Sequence, residues 1–325
     1  MKMRIIKLVL ATCVASFTLT ALARAETFPT RPVRILVGFA AGGTLDTITR
    51  IYADRLSKRL GVPFIVENMP GAGGNIASTA AAHARPDGYT LLLANNANTT
   101  GVSLYEKLSY RFAEDFEPIA MLARAPTALV GSPLLKASTV SELVAAAKAK
   151  PGEILYGSAG VGTGTHMAAE LFQLETASKM THVPYKALSA ALVDLAGGRI
   201  SILFSPLGTV IGQIKAGKVK GLAVTTEKRT ALAPDLPTMA ESGGPDINVN
   251  LWLGLVAPRG TPQEAIKTIG DAVTAVQHSP DLATKLGAVG GEPVSLTYAG
   301  FAKFIQKDIQ TWAMVVQHTG IKIKN

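Results

Sequence analysis

The stretch Val33-Arg-Ile-Leu-Val-Gly-Phe-Ala-Ala-Gly-Gly-Thr-Leu-Asp46 reads as a strand that breaks at a Gly-Gly pair and runs straight into an amphipathic helix. In that helix Leu45, Ile48, Ile51, Leu56 and Leu60 fall on one face, with Thr44 as its expected N-cap. Gly42 and Gly43 allow a tight turn and a close backbone approach to a ligand, so replacing Gly43 by Val is expected to impair binding through backbone misfit. The first turn of a helix exposes N–H groups at the positive end of its dipole, a setting that suits a carboxylate or phosphate. Asp46 complements that dipole, and is expected to organise the glycine loop or to meet a ligand through water.

Working outward, strands are expected at 33–39, 64–67, 89–94, 117–122, 128–131, 154–157, 180–183, 200–204, 219–224 and 252–257. Helices are expected at 45–60, 76–84, 140–150, 166–174, 262–277, 280–286 and 299–318, with more between the strands of the second half. This alternation predicts an α/β protein of parallel sheets covered by helices. A second unit echoes the first: Ile154-Leu-Tyr-Gly157 enters Ser158-Ala-Gly-Val-Gly-Thr-Gly-Thr165 and then a helix carrying His166. Ligands of open α/β sheets sit at the carboxyl ends of strands, where both loops belong. Two opposed loops rich in N–H donors would suit an acidic solute. The expected donors are the N–H groups of Gly42, Gly43, Thr44 and Gly160 to Thr163, with the Thr44, Ser158 and Thr163 hydroxyls assisting.

The N-terminus has the form of a secretory signal. Lys2, Arg4 and Lys7 precede an apolar run, and Ala23-Arg24-Ala25 has the form of a cleavage site, with cleavage expected after Ala25. The leader takes four basic residues and the sole cysteine, Cys13. It leaves 28 basic against 23 acidic residues, a net charge of +5. The remaining basic residues are scattered, which argues against a nucleic-acid partner. The mature chain should carry no disulfide, thiol nucleophile or thiolate metal site, and no cofactor is expected.

No dinucleotide fingerprint or P-loop is present, and Tyr156-Gly-Ser158-Ala-Gly160 lacks the first glycine of a nucleophile elbow. None of the five histidines, at 83, 166, 182, 278 and 318, has metal-ligand spacing to another, so no metal is expected. An exported hydrolase would need a Ser–His pair in the cleft, with His166 and Ser158 or Thr163 as candidates. His166 reads better as a polar loop contact, and Trp252 and Trp312 as core or domain-junction residues.

Phe28-Pro-Thr-Arg-Pro-Val33, Phe39-Ala-Ala-Gly-Gly-Thr-Leu-Asp46, Glu67-Asn-Met-Pro-Gly-Ala-Gly-Gly-Asn-Ile76 and Pro86-Asp-Gly-Tyr-Thr-Leu91 resemble the Bug family. These are the periplasmic solute-binding receptors of tripartite tricarboxylate transporters. The likeness continues through Tyr156-Gly-Ser-Ala-Gly160, His182-Val-Pro-Tyr-Lys186, Ala223-Val-Thr-Thr226, Pro237-Thr-Met-Ala-Glu241 and Gly254-Leu-Val-Ala-Pro258. The resemblance implies a two-lobed type II periplasmic binding fold that closes on a small carboxylated solute, with a ligand cleft between the lobes. The expected lobes are 26–125 with 249–325, and 126–248, after a signal peptide at 1–25. Phe39, Ala41, Gly42, Gly43, Thr44, Asp46 and Asn96 are the expected contacts on the first lobe. On the second they are Ser158, Gly160, Val161, Gly162, Thr163, His166 and Ser205. The chain is expected to act as a monomer that delivers its solute to a membrane permease of that transporter type; presenting the solute to a membrane sensor is the alternative.

The chain departs from the family pattern at Ala41, where a proline is usual, and at Ala187 and Ala190. Ser201 and Ser205 stand where acidic residues are common. If either serine lines the cleft, losing a carboxylate favours anions and disfavours an ammonium group. Mono- and dicarboxylates are therefore expected ahead of amino acids.

Overall fold

A computed structural model describes residues 28–323. The expected signal peptide, its cleavage point and Cys13 lie outside the described residues. Two sheets organise the chain. The first has the order β11 (Glu292–Thr297), β4 (Phe116–Ala125), β10 (Leu251–Pro258), β3 (Thr90–Asn95), β1 (Val33–Val37) and β2 (Phe64–Asn68). The second has the order β7 (Thr181–Pro184), β6 (Leu155–Ser158), β8 (Ile202–Pro206), β5 (Thr127–Gly131) and β9 (Lys220–Val224).

The helices are α1 (Thr44–Leu60), α2 (Asn75–Ala82), α3 (Asn96–Leu104), α4 (Phe112–Asp115), α5 (Val140–Ala149) and α6 (Gly164–Thr176). They continue with α7 (Leu188–Ala196), α8 (Leu207–Lys215), α9 (Gln263–Gln277), α10 (Leu282–Gly287) and α11 (Tyr298–Thr319). No described helix is long and apolar enough to cross a membrane.

The two sheets repeat one plan. β1 pairs in parallel with β2 and β3, as β6 does with β7 and β8. In each sheet a strand arriving from the other half then inserts antiparallel: β10 between β3 and β4, and β5 between β8 and β9. The expectation of purely parallel sheets is thus corrected to mixed ones. Local sequence marks a strand but carries no sign of its direction in the sheet.

Both faces of each sheet are buried, which explains the nearly continuous apolar runs of the strands. In β3, Leu91 and Leu93 enter one core while Leu92 and Ala94 enter another. In β5, Leu129 packs on one side and Ala128 and Val130 on the other. Helix α1 buries Ile48, Tyr52, Ala53 and Leu56 and ends at Gly61, whose N–H donates to Ser57 O at 3.0 Å. Each such large apolar side chain contributes about 1.5–3 kcal/mol on burial. The chain passes between the sheets at Ala125–Thr127 and returns before Leu251. Helix α11 belongs to both halves, since Phe301 and Ile305 join a core of the first sheet while Trp312, Val315 and Val316 join a core of the second.

Three elements escape the sequence reading: α3, the one-turn helix α4 and β11. Asn-Asn-Ala-Asn-Thr-Thr-Gly looks like a loop by composition, yet it opens α3. The Asn95 side chain accepts from Ala97 N at 2.9 Å, and Asn98 Oδ1 accepts from Asn95 N at 2.9 Å, a reciprocal cap. β11 contains Pro293 and is an edge strand, the place where a sheet tolerates a missing N–H.

Candidate functional site

The loop after β1 is held from below by Asp46. Its carboxylate accepts from Gly42 N at 2.8 Å, Arg50 Nε at 3.0 Å and Asn68 Nδ2 at 2.9 Å. Asn68 Nδ2 also donates to Phe39 O at 3.0 Å, tying the loop to the end of β2. Burial pushes the Asp46 carboxyl up, but these partners outweigh it and hold it below the ordinary carboxylate range. Asp46 is buried, and its carboxylate is taken up by partners on the loop, the helix and the end of β2.

Two expectations about this loop are corrected. The N-cap of α1 is Gly43, and the helix already begins at Thr44. Gly43 has extended backbone (φ −75°, ψ 168°), and a Cβ there would only reach Ala40 O at 3.7 Å, so Gly43→Val meets no backbone misfit. Gly42 is the residue that requires glycine, with φ at +84°.

The loop after β6 rests on a buried polar column. Ser158 Oγ and His182 Nε2 share a hydrogen bond of 2.6 Å, and Gly160 N donates to Ser158 Oγ at 3.0 Å. Gly162 N donates to His166 Nδ1 at 3.0 Å, and His166 Nε2 lies 3.5 Å from Glu170 Oε1. The rings of His166 and His182 stack at 4.0 Å, and His182 stacks on Tyr156 at 4.8 Å. Tyr156 donates its hydroxyl to Glu170. Burial pushes Glu170 up, yet the bonds from His166 and Tyr156 prevail and hold it below its ordinary value. Burial, reinforced by the nearby His166, depresses His182 to about 4.

A cavity of about 380 Å³ lies between the two halves. Phe39, Leu45, Asn95 and Asn96 line it from the first sheet's side, and residues 159 and 161–165 with Pro206 from the second's. The crossover residues Thr127, Val249, Asn250 and Leu251 also line it. They are stitched together: Asn96 Nδ2 donates to Asn250 O at 3.0 Å, Trp252 N to Asn96 Oδ1 at 3.0 Å, and Thr225 Oγ1 to Val249 O at 2.5 Å. Among the described lining residues none carries a formal charge.

Of the expected contacts, Phe39, Asn96, Val161, Gly162 and Thr163 line this cavity. Gly42 and Thr44 line a second one of about 290 Å³, shared with Gly208, Thr209 and residues 287–290. Ala41, Gly43 and Gly160 line neither. The Ser158, His166 and Ser205 side chains are buried, already partnered and absent from the lining of both cavities. Ser201 lies off the cavity too, its Oγ accepting from Leu155 N at 3.2 Å, so neither serine bears on the charge of the cavity wall. The expected N–H donors shift as well. Those of Gly42, Gly160, Gly162 and Thr163 are spent inside the loops. The N–H groups without an intrahelical acceptor belong instead to the first turns of α1 and α6, at Leu45, Gly164 and Thr165 on the cavity wall.

Sequence reading missed Leu104, Tyr105, the crossover residues and Ile323, which reach the cavity only through tertiary packing. Among the described residues no group of three or more His, Cys, Asp or Glu could hold a metal ion.

Two mixed α/β lobes joined by crossover strands, with a cavity between them, define a two-lobed solute-binding protein. The family model for the tripartite tricarboxylate transporter family receptor matches residues 48–321. Protein BugT of Bordetella pertussis is 35% identical over 313 residues, covering 96% of each chain. The R. palustris protein Rpa4515, solved with adipate, is 34% identical with a TM-score of 0.77, covering 92% of this chain and 100% of that one. MatC from Rhodopseudomonas palustris, solved with bound malate, is 32% identical with a TM-score of 0.73, covering 89% of this chain and 100% of that one. The chain belongs to the tripartite tricarboxylate transporter receptor family and is a periplasmic solute-binding receptor.

Proposed function

We propose that this receptor captures a small carboxylate-bearing solute in the inter-lobe cavity, gripped by the first turns of α1 and α6. The observation that carries this reading is a cavity flanked by two helix N-termini and lined, among the described residues, by no formally charged side chain. A carboxylate there is met by N–H groups and aligned peptide dipoles without a competing acid. The adipate and malate held by the two R. palustris relatives support the same chemistry.

In this reading the lobes are residues 26–125 with 249–325, and 126–248. Phe39, Asn96, Val161, Gly162 and Thr163 touch the solute, while Ala41, Gly42, Gly43, Thr44 and Gly160 shape the loops. Asp46, Ser158, His166 and Ser205 support from beneath. A monomer, cleaved after Ala25, hands the solute to a membrane permease of the tripartite tricarboxylate type. A hydrolase is disfavoured: Ser158 is buried and does not line the cavity, and its partner His182 is half-buried and does not line it either.

The test is calorimetry and thermal unfolding of mature protein against mono- and dicarboxylates, adipate and malate included, beside amino acids. A bound carboxylate raises the melting temperature in step with saturation. Tight binding of an amino acid with no response to any simple carboxylate overturns the proposal.

A further inference from the structure

The two helix N-termini account for part of the cavity; another of its walls is mainly apolar, with the Tyr105 hydroxyl as a polar group within it. Tyr105, just past α3, forms a parallel bridge with Ile323. Ile323 N donates to Leu104 O at 2.9 Å, and Glu106 N to Ile323 O at 3.2 Å. The C-terminal segment is thereby pinned to the end of α3, with Leu104, Tyr105 and Ile323 all on the cavity. The second lobe's loop closes against the same wall: a Cβ on Gly162 would lie 2.7 Å from Leu104 Cδ2 and 3.1 Å from Ile323 Cδ1. Trp312 adds an indole whose only polar atom is already spent, since Nε1 donates to Asp308 Oδ1 at 3.1 Å.

We infer that Leu104, Tyr105, Trp312 and Ile323 form a subsite for the uncharged hydrocarbon part of the solute, so that the receptor selects a carboxylate with an apolar tail over a dicarboxylate of equal length. This rests on the carboxylate reading above and assigns the rest of the molecule. Among the described residues no charged side chain lines this wall, so a second carboxylate there would lose its hydration with little beyond the Tyr105 hydroxyl to replace it. Each methylene buried there gains about fourfold in affinity. The C-terminal segment thus acts as a specificity element, although it lies more than 150 residues from the second glycine loop in sequence and touches it only in the fold.

The test is titration calorimetry of the mature protein with hexanoate, adipate and propionate, with unfolding of the unliganded protein as the control. Wild-type protein binds hexanoate at least about tenfold more tightly than adipate, and more tightly than propionate. Ile323→Ala weakens hexanoate several-fold and leaves propionate within about twofold. Ile323→Lys sets an ammonium group at the wall and moves the preference toward adipate. Should that variant lose thermal stability, the wild-type ratio and Ile323→Ala decide the matter. Adipate binding as tightly as hexanoate, or Ile323→Ala weakening both monocarboxylates equally, overturns the subsite and leaves the carboxylate receptor standing. If hexanoate, adipate and propionate all fail to bind, the carboxylate reading falls and this inference with it.

Discussion

Replacing Gly208 by Ala is expected to weaken solute binding without destabilising either lobe. Gly208 lies in the first turn of α8, and Gly290 lies between α10 and β11, so their contact joins the two halves across the second cavity. A Cβ on Gly208 would stand 2.9 Å from Gly290 Cα, against 3.4–4 Å for ordinary contact. The obstacle is backbone, which no side-chain rotation relieves. The halves must therefore separate by about 0.5–1 Å or carry an overpacking cost of about 1–3 kcal/mol. That cost corresponds to roughly five- to 150-fold in affinity. The unliganded lobe gains instead, because alanine is preferred to glycine within a helix by up to about 1 kcal/mol. Calorimetry with any carboxylate bound by the wild type, paired with thermal unfolding of the free protein, measures both effects. Gly212→Ala is the control: it sits on the same helix, and a Cβ there meets nothing within 4 Å. An affinity unchanged in Gly208→Ala would mean that the bound state does not use this contact. A fall in the melting temperature of the free protein would move the effect inside one lobe.

Gly42→Val should lower affinity strongly by forcing a branched residue to φ +84°, whereas Gly43→Ala should leave binding within about twofold; equal losses in calorimetry would refute the assignment of the turn to Gly42. Asp308→Asn should destabilise the protein by about 1–3 kcal/mol, since the carboxylate accepts from Thr99 Oγ1 at 2.6 Å, Trp252 Nε1 at 2.9 Å and Trp312 Nε1 at 3.1 Å, and an amide opposes one donor with another. Denaturant unfolding checks this, and an unaltered midpoint would refute it. His182 titrates at about 4 in the fold against an ordinary 6.5, so the unfolded chain takes up its proton first. Its contribution is therefore present above about pH 6.5 and is lost as pH falls toward about 4. His182→Gln should flatten that part of the pH–stability curve, and an unchanged slope would show that other groups set it.

The α/β class, the two glycine loops and the position of α1 were legible locally. An apolar run such as Leu91–Ala94, or a Gly-Gly pair feeding a helix, carries its meaning within a dozen residues. The role of Asp46 was half legible: its place in a first turn implied loop support, but its bonds to Arg50 and Asn68 depend on β2 lying alongside. Strand direction, the cap made by Asn95 and Asn98, and the burial of Ser158 and His166 were not legible. Each depends on partners whose position a linear pattern does not specify. The same holds for which N–H groups remain free. Gly160 and Gly162 look like donors in a glycine-rich string, yet Ser158 and His166 take them. The sequence by itself determined that two glycine-rich strand-to-helix turns exist within an α/β chain. Tertiary structure decided what shares the cavity with them, because residues 104, 127, 250, 312 and 323 meet only when crossover strands, a helix common to both cores and the C-terminal segment converge.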